Sequence, residues 1–166
     1  MSDFDTREFR DALGAFATGV TVVTTRTPEG VPVGLTATSF NSVSLEPPLV
    51  LWSLQRDSNL FEAFRTADGF AVHILSEEQV DVSQRFAQRD VDRFEGMPVR
   101  AGSNGLPLLD GCAAVFQCSK YAEYDGGDHI ILVGEVRSYE HNQVPALAFY
   151  RSGYAALTRD VRDPDF

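Results

Sequence analysis

The run Gly34-Leu35-Thr36-Ala37-Thr38-Ser39-Phe40-Asn41-Ser42-Val43-Ser44-Leu45-Glu46-Pro47-Pro48 opens as a strand and closes at a double proline. Val31, Val33 and Leu35 alternate with smaller or polar residues, the two-residue period of an extended chain with one buried face. Beyond them, Thr36, Thr38, Ser39, Asn41, Ser42 and Ser44 form a dense row of side chains that both donate and accept hydrogen bonds. At the end of an apolar strand such a row has two readings. The groups satisfy one another in a Ser/Thr-rich turn, or they face a polar ligand.

Upstream, Val20 to Thr25 is β-branched at every position, which favours a strand. Thr27-Pro28-Glu29-Gly30 is a turn, so Val20–Thr25 and Val31–Thr38 are predicted to form a hairpin. Before it, Asp5 with Glu8 makes a capping box, and Phe9, Leu13 and Phe16 recur at helical spacing. This reads as an amphipathic helix covering a sheet.

Downstream of the prolines, Leu49 to Leu54 is predicted as a strand buried on both faces. Asp57 or Ser58 then caps a helix over Leu60–Thr66. Arg56, Ser58 and Asn59 at that helix start are either a simple cap or an anion clamp. Phe70–Leu75 is the next strand, and its His73 reads as a core histidine with a satisfied ring. Ser76 with Gln79 caps a helix that ends at Arg85-Phe86-Ala87. Asp90–Gly96 is a short charged turn, and Met97–Leu109 is loop with a short strand near Val99. Cys112–Tyr124 and His129–Val136 are strands joined by the tight turn Asp125-Gly126-Gly127-Asp128. His141 is expected in a polar loop, Ala146–Tyr150 as a last strand, and Thr158–Phe166 as a flexible tail.

The strands come mainly as hairpins without βαβ alternation. A mainly antiparallel barrel with a few helices outside fits, in one domain over 1–166 with its core at about 9–157. The chain has 166 residues and a formal net charge of −10, which argues against nucleic acid or an anionic membrane as its partner. An anionic ligand must therefore be held by local donors. Cys112 and Cys118 are read as reduced core residues pointing to one face, in neither disulfide nor zinc spacing, so no metal site is expected. The acidic start and the lack of a long apolar run suggest a cytoplasmic protein. There is no G-x-G-x-x-G, P-loop, H-E-x-x-H or G-x-S-x-G.

Thr36-Ala37-Thr38-Ser39-Phe40 followed by Ser42-Val43-Ser44-Leu45 and Pro47-Pro48-Leu49-Val50 resembles the signature of the flavin reductase-like family. Gly19-Val20-Thr21-Val22-Val23-Thr24 upstream and Gly127-Asp128-His129 downstream extend the resemblance from about Phe9 to about Leu157. It implies an FMN-binding split β-barrel, assembled as a homodimer. The implied activity is NAD(P)H-dependent reduction of FMN or FAD, which supplies reduced flavin to a partner monooxygenase. The resemblance puts Thr36, Ala37, Thr38, Ser39 and Phe40 along the flavin, with Ser53 and Leu54 lining it. Ser58 and Asn59 would lie at its phosphate, and Phe86 and Ala87 in its wall. Asp128 and His129 would sit by the nicotinamide, His129 positioning NAD(P)H as the catalytic-site residue. Tyr154 matches an aromatic beside the flavin, or is a core aromatic. From the residues alone, Asp128-His129 reads rather as a hairpin turn with a strand-initial histidine. No Arg/Lys cluster for a 2′-phosphate is evident, so NADH is favoured over NADPH. A tightly held FMN acting on another acceptor, and a flavin-binding barrel without turnover, are the competing functions.

Overall fold

The computed structural model describes residues 5–158. The predicted hairpin forms as β2 (Thr21–Arg26) against β3 (Pro32–Ala37), preceded by α1 (Thr6–Leu13) and the short β1 (Thr18–Gly19). After β3 the chain breaks at Thr38–Phe40. It then makes β4 (Asn41–Leu45), turns at Glu46-Pro47 and returns as β5 (Pro48–Gln55). There follow α2 (Phe61–Thr66), β6 (Gly69–Ile74), α3 (Val80–Ala87), and a small β7 (Arg100–Ala101) and β8 (Pro107–Leu108) pair. Two long strands, β9 (Ala114–Gly126) and β10 (His129–His141), make a ribbon, and β11 (Ala148–Tyr150) with β12 (Gly153–Ala155) closes the described chain.

The main sheet has seven strands in the order β3-β2-β6-β9-β10-β5-β4, with every pairing antiparallel. Its two ends, β3 and β4, do not pair with each other, so the sheet is wound but open, as a split barrel requires. One core packs inside it. Trp52 meets Phe64 and Phe70 edge-on at 4.9 and 5.9 Å, among Val23, Leu54 and Leu132. The sheet's outer face carries a second core, in which Val22, Ala71 and Val115 meet Phe86 of α3 and Leu108 and Leu109 of the following loop. Adjacent residues such as Val22 and Val23 thus serve opposite cores, which explains a strand without polar alternation. At Gly134 the ribbon passes so close to its neighbours that a Cβ would lie 2.6 Å from Phe70 and 2.7 Å from the Cys118 Cβ.

Several expectations need correction. β5 buries only alternate residues, Val50, Trp52 and Leu54, because it lies next to the edge strand β4. α1 is capped by Asp5, which accepts from the Arg7 and Glu8 amides, but it buries no residue of its own: Leu13 is 59% exposed. The two cysteines do not share a face. Cys118 sits in the inner core, whereas Cys112, ahead of the start of β9, sits in the outer one. Both thiols are free, and burial pushes them up to about 11 and about 12. His141 is exposed as expected, but it ends β10 rather than lying in a loop. α2 starts at Phe61 without a side-chain cap, and the Ser58 hydroxyl accepts from the Leu60 amide instead, at 3.2 Å. Beyond Thr158 the expected tail lies outside the described residues. No helix of the described chain is long and apolar enough to cross a membrane.

A candidate flavin site at the end of the β2–β3 hairpin

A cleft of about 340 Å³ opens where β3 ends. Hydrogen bonds fix the shape of its first wall. The Thr21 hydroxyl donates to the Ala37 carbonyl at 2.7 Å, and the Thr36 hydroxyl donates to the Ser83 carbonyl of α3 at 2.7 Å. Ser39 Oγ accepts the Ser53 amide at 2.9 Å and donates to the Ser53 carbonyl at 3.3 Å, which lays the loop after β3 along β5. The hydroxyls that looked superfluous in a plain strand therefore tie three elements together. Each keeps lone-pair capacity for a ligand.

Leu54 and Gln55 at the end of β5, with Ser58 and Asn59, form the second wall. The third is the end of α3, Phe86 and Ala87, continued by Arg89 and Arg93. His129, paired with Gln55 as the first residue of β10, closes the fourth side. Of the residues that the sequence singled out, Thr36, Ala37, Thr38, Ser39, Ser53, Leu54, Ser58, Asn59, Phe86, Ala87 and His129 all line this one cleft. Phe40, Asp128 and Tyr154 do not. Phe40 turns away to stack on Phe116 at 5.8 Å. Asp128 stands behind His129, with its carboxylate 2.7 Å from Nδ1. Tyr154 meets the buried Ser83 hydroxyl at 2.9 Å, one residue's breadth behind the Thr36 contact. Arg56 is likewise turned from the cleft towards the β9–β10 turn.

Sequence reasoning missed Leu35, Gln55, Arg89 and Arg93. Arg93 stood in the stretch Asp90–Gly96, read only as a charged turn, and Arg89 lay just ahead of it. Arg93 is 8% exposed; it donates to the Gly34 carbonyl at 2.7 Å and through Nε to the Gln88 carbonyl at 2.7 Å. Burial lowers its guanidinium from the ordinary value. Arg89 is exposed and, among the described residues, pairs with Asp57 at 3.7 Å. The lining holds two guanidinium groups, an imidazole and several hydroxyls, and no carboxylate. The carboxylates of Asp57 and Asp128 stand just outside the lining, on Arg89 and His129, so the cleft offers donors to an anionic ligand in a chain of net charge −10. Leu35 supplies a part-exposed apolar surface for a flat ring, and Leu54 and Phe86 are buried behind the lining and back it from the two cores. The residues present thus fit a flavin phosphate: ring surface, polar rim and anion-binding end.

A second cleft of about 340 Å³ lies at the opposite end of β2, around Thr25, Arg26 and Gln117. Its Arg26 is spent on the Gly105 and Gly30 carbonyls, and it gathers none of the predicted residues.

The profile described as "Flavin reductase like domain" matches residues 13–158. The chain is 45% identical to the FMN reductase (NADH) SmoA of Agrobacterium fabrum, over 93% of this chain and 88% of that protein. It is 45% identical to the reductase component of the flavin-dependent trigonelline monooxygenase of Acinetobacter baylyi, over 98% of this chain and 54% of that one. The chain thus spans about half the length of some of the curated relatives it matches. Among solved structures, the NADH:FAD oxidoreductase of Streptomyces globisporus, in complex with NAD and FAD fragments, superposes with a TM-score of 0.89. The two are 35% identical, and the match covers 95% of each chain. With a profile match over nearly its whole length and a split sheet that carries the matching residues into one cleft, the chain belongs to the flavin reductase-like family.

Proposed function

We propose that the chain is an NADH-dependent flavin reductase that takes FMN or FAD in the cleft and releases reduced flavin to a monooxygenase. The observation that carries this reading is the cleft itself, which gathers the Thr36–Ser39 hydroxyls, Ser58, Asn59, the exposed Arg89 and His129 in an acidic protein. A bound flavin supplies the hydride acceptor at N5. The protein's part is to bind, orient and balance charge. Thr36 to Ser39 offer hydroxyls and backbone groups along the ring edge and ribityl chain, with Leu35 beside the ring. Ser58, Asn59 and Arg89 hold the phosphate end, and Arg93 fixes the loop that carries Arg89 through the Gly34 and Gln88 carbonyls. His129 faces the open side, where a nicotinamide must approach. Thr38, Ser39, Asn59, Ala87 and Arg89 are solvent-exposed, which suits a flavin that comes and goes rather than one held permanently. The relatives' names support NADH, a flavin and an oxygenase partner.

We also infer a homodimer in the cytoplasm. Leu13 and Phe16 of α1 and its exit are 59% and 78% exposed, and Leu45 on the edge strand is 90% exposed. A second copy covers such apolar surface by twofold symmetry. A solution mass of one chain at micromolar concentration would remove this inference.

Thr36→Val and Ser58→Ala test the flavin assignment. Each is expected to weaken FMN binding several-fold, roughly the loss of one hydrogen bond. Flavin fluorescence titrations that match the parent protein in both variants would sink it.

A further inference from the structure

We propose that Arg56 is a positioning residue for the reaction: it clamps the β9–β10 turn and so holds His129 in the wall of the cleft. This rests on the reading of His129 as the nicotinamide contact. The turn is Gly127-Asp128, at the tip of two strands of 13 residues each. Gly127 has φ +76°, nothing lies within 4 Å of where its Cβ would be, and Gly126 precedes it. Two adjacent glycines, with open space beside Gly127, leave a turn with no side-chain packing of its own there.

One residue on the neighbouring element stiffens it. The Arg56 backbone amide donates to the Asp128 carbonyl at 2.9 Å, and its Nε donates to the Gly127 carbonyl at 2.9 Å. Its Nη2 pairs with the Asp125 carboxylate on the last turn of β9. Both carbonyls of the turn are thus taken by Arg56, and a planar guanidinium fixes their direction as well as their distance.

The consequence reaches the imidazole through Asp128. The hydrogen bond and charge of His129 hold the Asp128 carboxyl below its ordinary value, so it is an acceptor only. His129 Nδ1 therefore carries the hydrogen across the 2.7 Å contact, and Nε2 is left for a ligand in the cleft. A turn that swings shifts Asp128 and His129 together and loses both the tautomer and the placement. The Arg56 side chain is 45% exposed, so its ion pair adds little stability; its value is geometric.

Arg56→Ala removes only the side-chain contacts. The backbone bond to Asp128 and the β5–β10 ladder from His129–Gln55 to Glu135–Leu49 do not depend on them, so the variant is expected to fold. The experiment is a double-mutant cycle on steady-state NADH kinetics, with FMN titrations on every protein. Arg56→Ala should raise the KM for NADH roughly fivefold, with FMN affinity unchanged. In a His129→Ala background the same change should add less than about twofold, because the group it positions is gone. Arg56→Lys should restore little, since an ammonium cannot reach both acceptors in a plane. Full additivity of the two substitutions, or an unchanged KM in Arg56→Ala beside a raised one in His129→Ala, overturns the role of Arg56 alone. An unchanged KM in His129→Ala overturns the reading of His129 and this inference with it.

Discussion

His129→Ala is expected to raise the KM for NADH about tenfold while FMN affinity stays within about twofold, because one hydrogen bond is lost at the nicotinamide side only. The structure separates the two effects. His129 enters the cleft from β10, whereas the hydroxyls and guanidinium assigned to the flavin come from β3, the β5–α2 loop and the end of α3. Nothing in the first wall leans on the imidazole: Thr36 is held by Ser83, and Ser39 by Ser53. Loss of the ring therefore leaves the flavin end intact. His129→Gln keeps a polar group of similar reach and should recover part of the loss. A KM that stays at the parent value, or an FMN affinity that falls in step with it, contradicts the assignment.

Stability is expected to fall by ~3 kcal/mol between pH 6.5 and about pH 4 on account of His73 alone, roughly a hundredfold in the folding equilibrium. His73 is fully buried in the outer core. Its Nδ1 donates to the Val22 carbonyl at 3.0 Å, and Nε2 accepts the Leu109 amide at 3.1 Å, so the neutral ring is satisfied on both sides. Burial lowers its pKa to about 4; the Val22 hydrogen bond and Glu140 oppose the shift, and Arg100 adds to it. Below pH 6.5 the unfolded chain binds a proton that the folded chain refuses until about pH 4. The stabilisation is whole above pH 6.5 and drains away as pH drops. Urea unfolding across this range should show the slope. His73→Gln, which keeps one donor and one acceptor but does not titrate, should lose this part of it. An equal slope in both proteins refutes the assignment.

The fold was legible wherever one short signal settled one element. The β-branched run at Val20–Thr25, the turn at Thr27–Gly30 and the glycine pair before Asp128 gave the two hairpins on which the sheet is built. The core role of His73 was legible because a histidine amid apolar neighbours has to be neutral and doubly bonded. The inward-packed α1 failed because helical periodicity says which face is apolar and not what covers it. The shared face of the cysteines failed because parity counts only inside a strand, and Cys112 precedes it.

The candidate site divides in the same way. Residues clustered in one stretch, Thr36–Ser39, were found together. The arginines were not, because Arg89 and Arg93 reach the cleft only when the loop after α3 folds back on Gly34. Tyr154 and Asp128 were picked out by resemblance, and both stand behind the lining: Asp128 one contact back on His129, and Tyr154 two back on Ser83, whose carbonyl holds Thr36. A resemblance of motif gathers such supporting residues with the lining ones. Only coordinates separate a residue that faces the cleft from one that steadies its neighbour.

The most direct measurement is NADH oxidation by the purified protein, followed by NADH absorbance with and without added FMN, FAD or riboflavin. The expected result is slow oxidation alone and a rate that rises and saturates with added flavin, with FMN or FAD preferred to riboflavin because Ser58, Asn59 and Arg89 are placed for a phosphate. Oxidation that ignores added flavin, or none with any flavin and either NADH or NADPH, would contradict it.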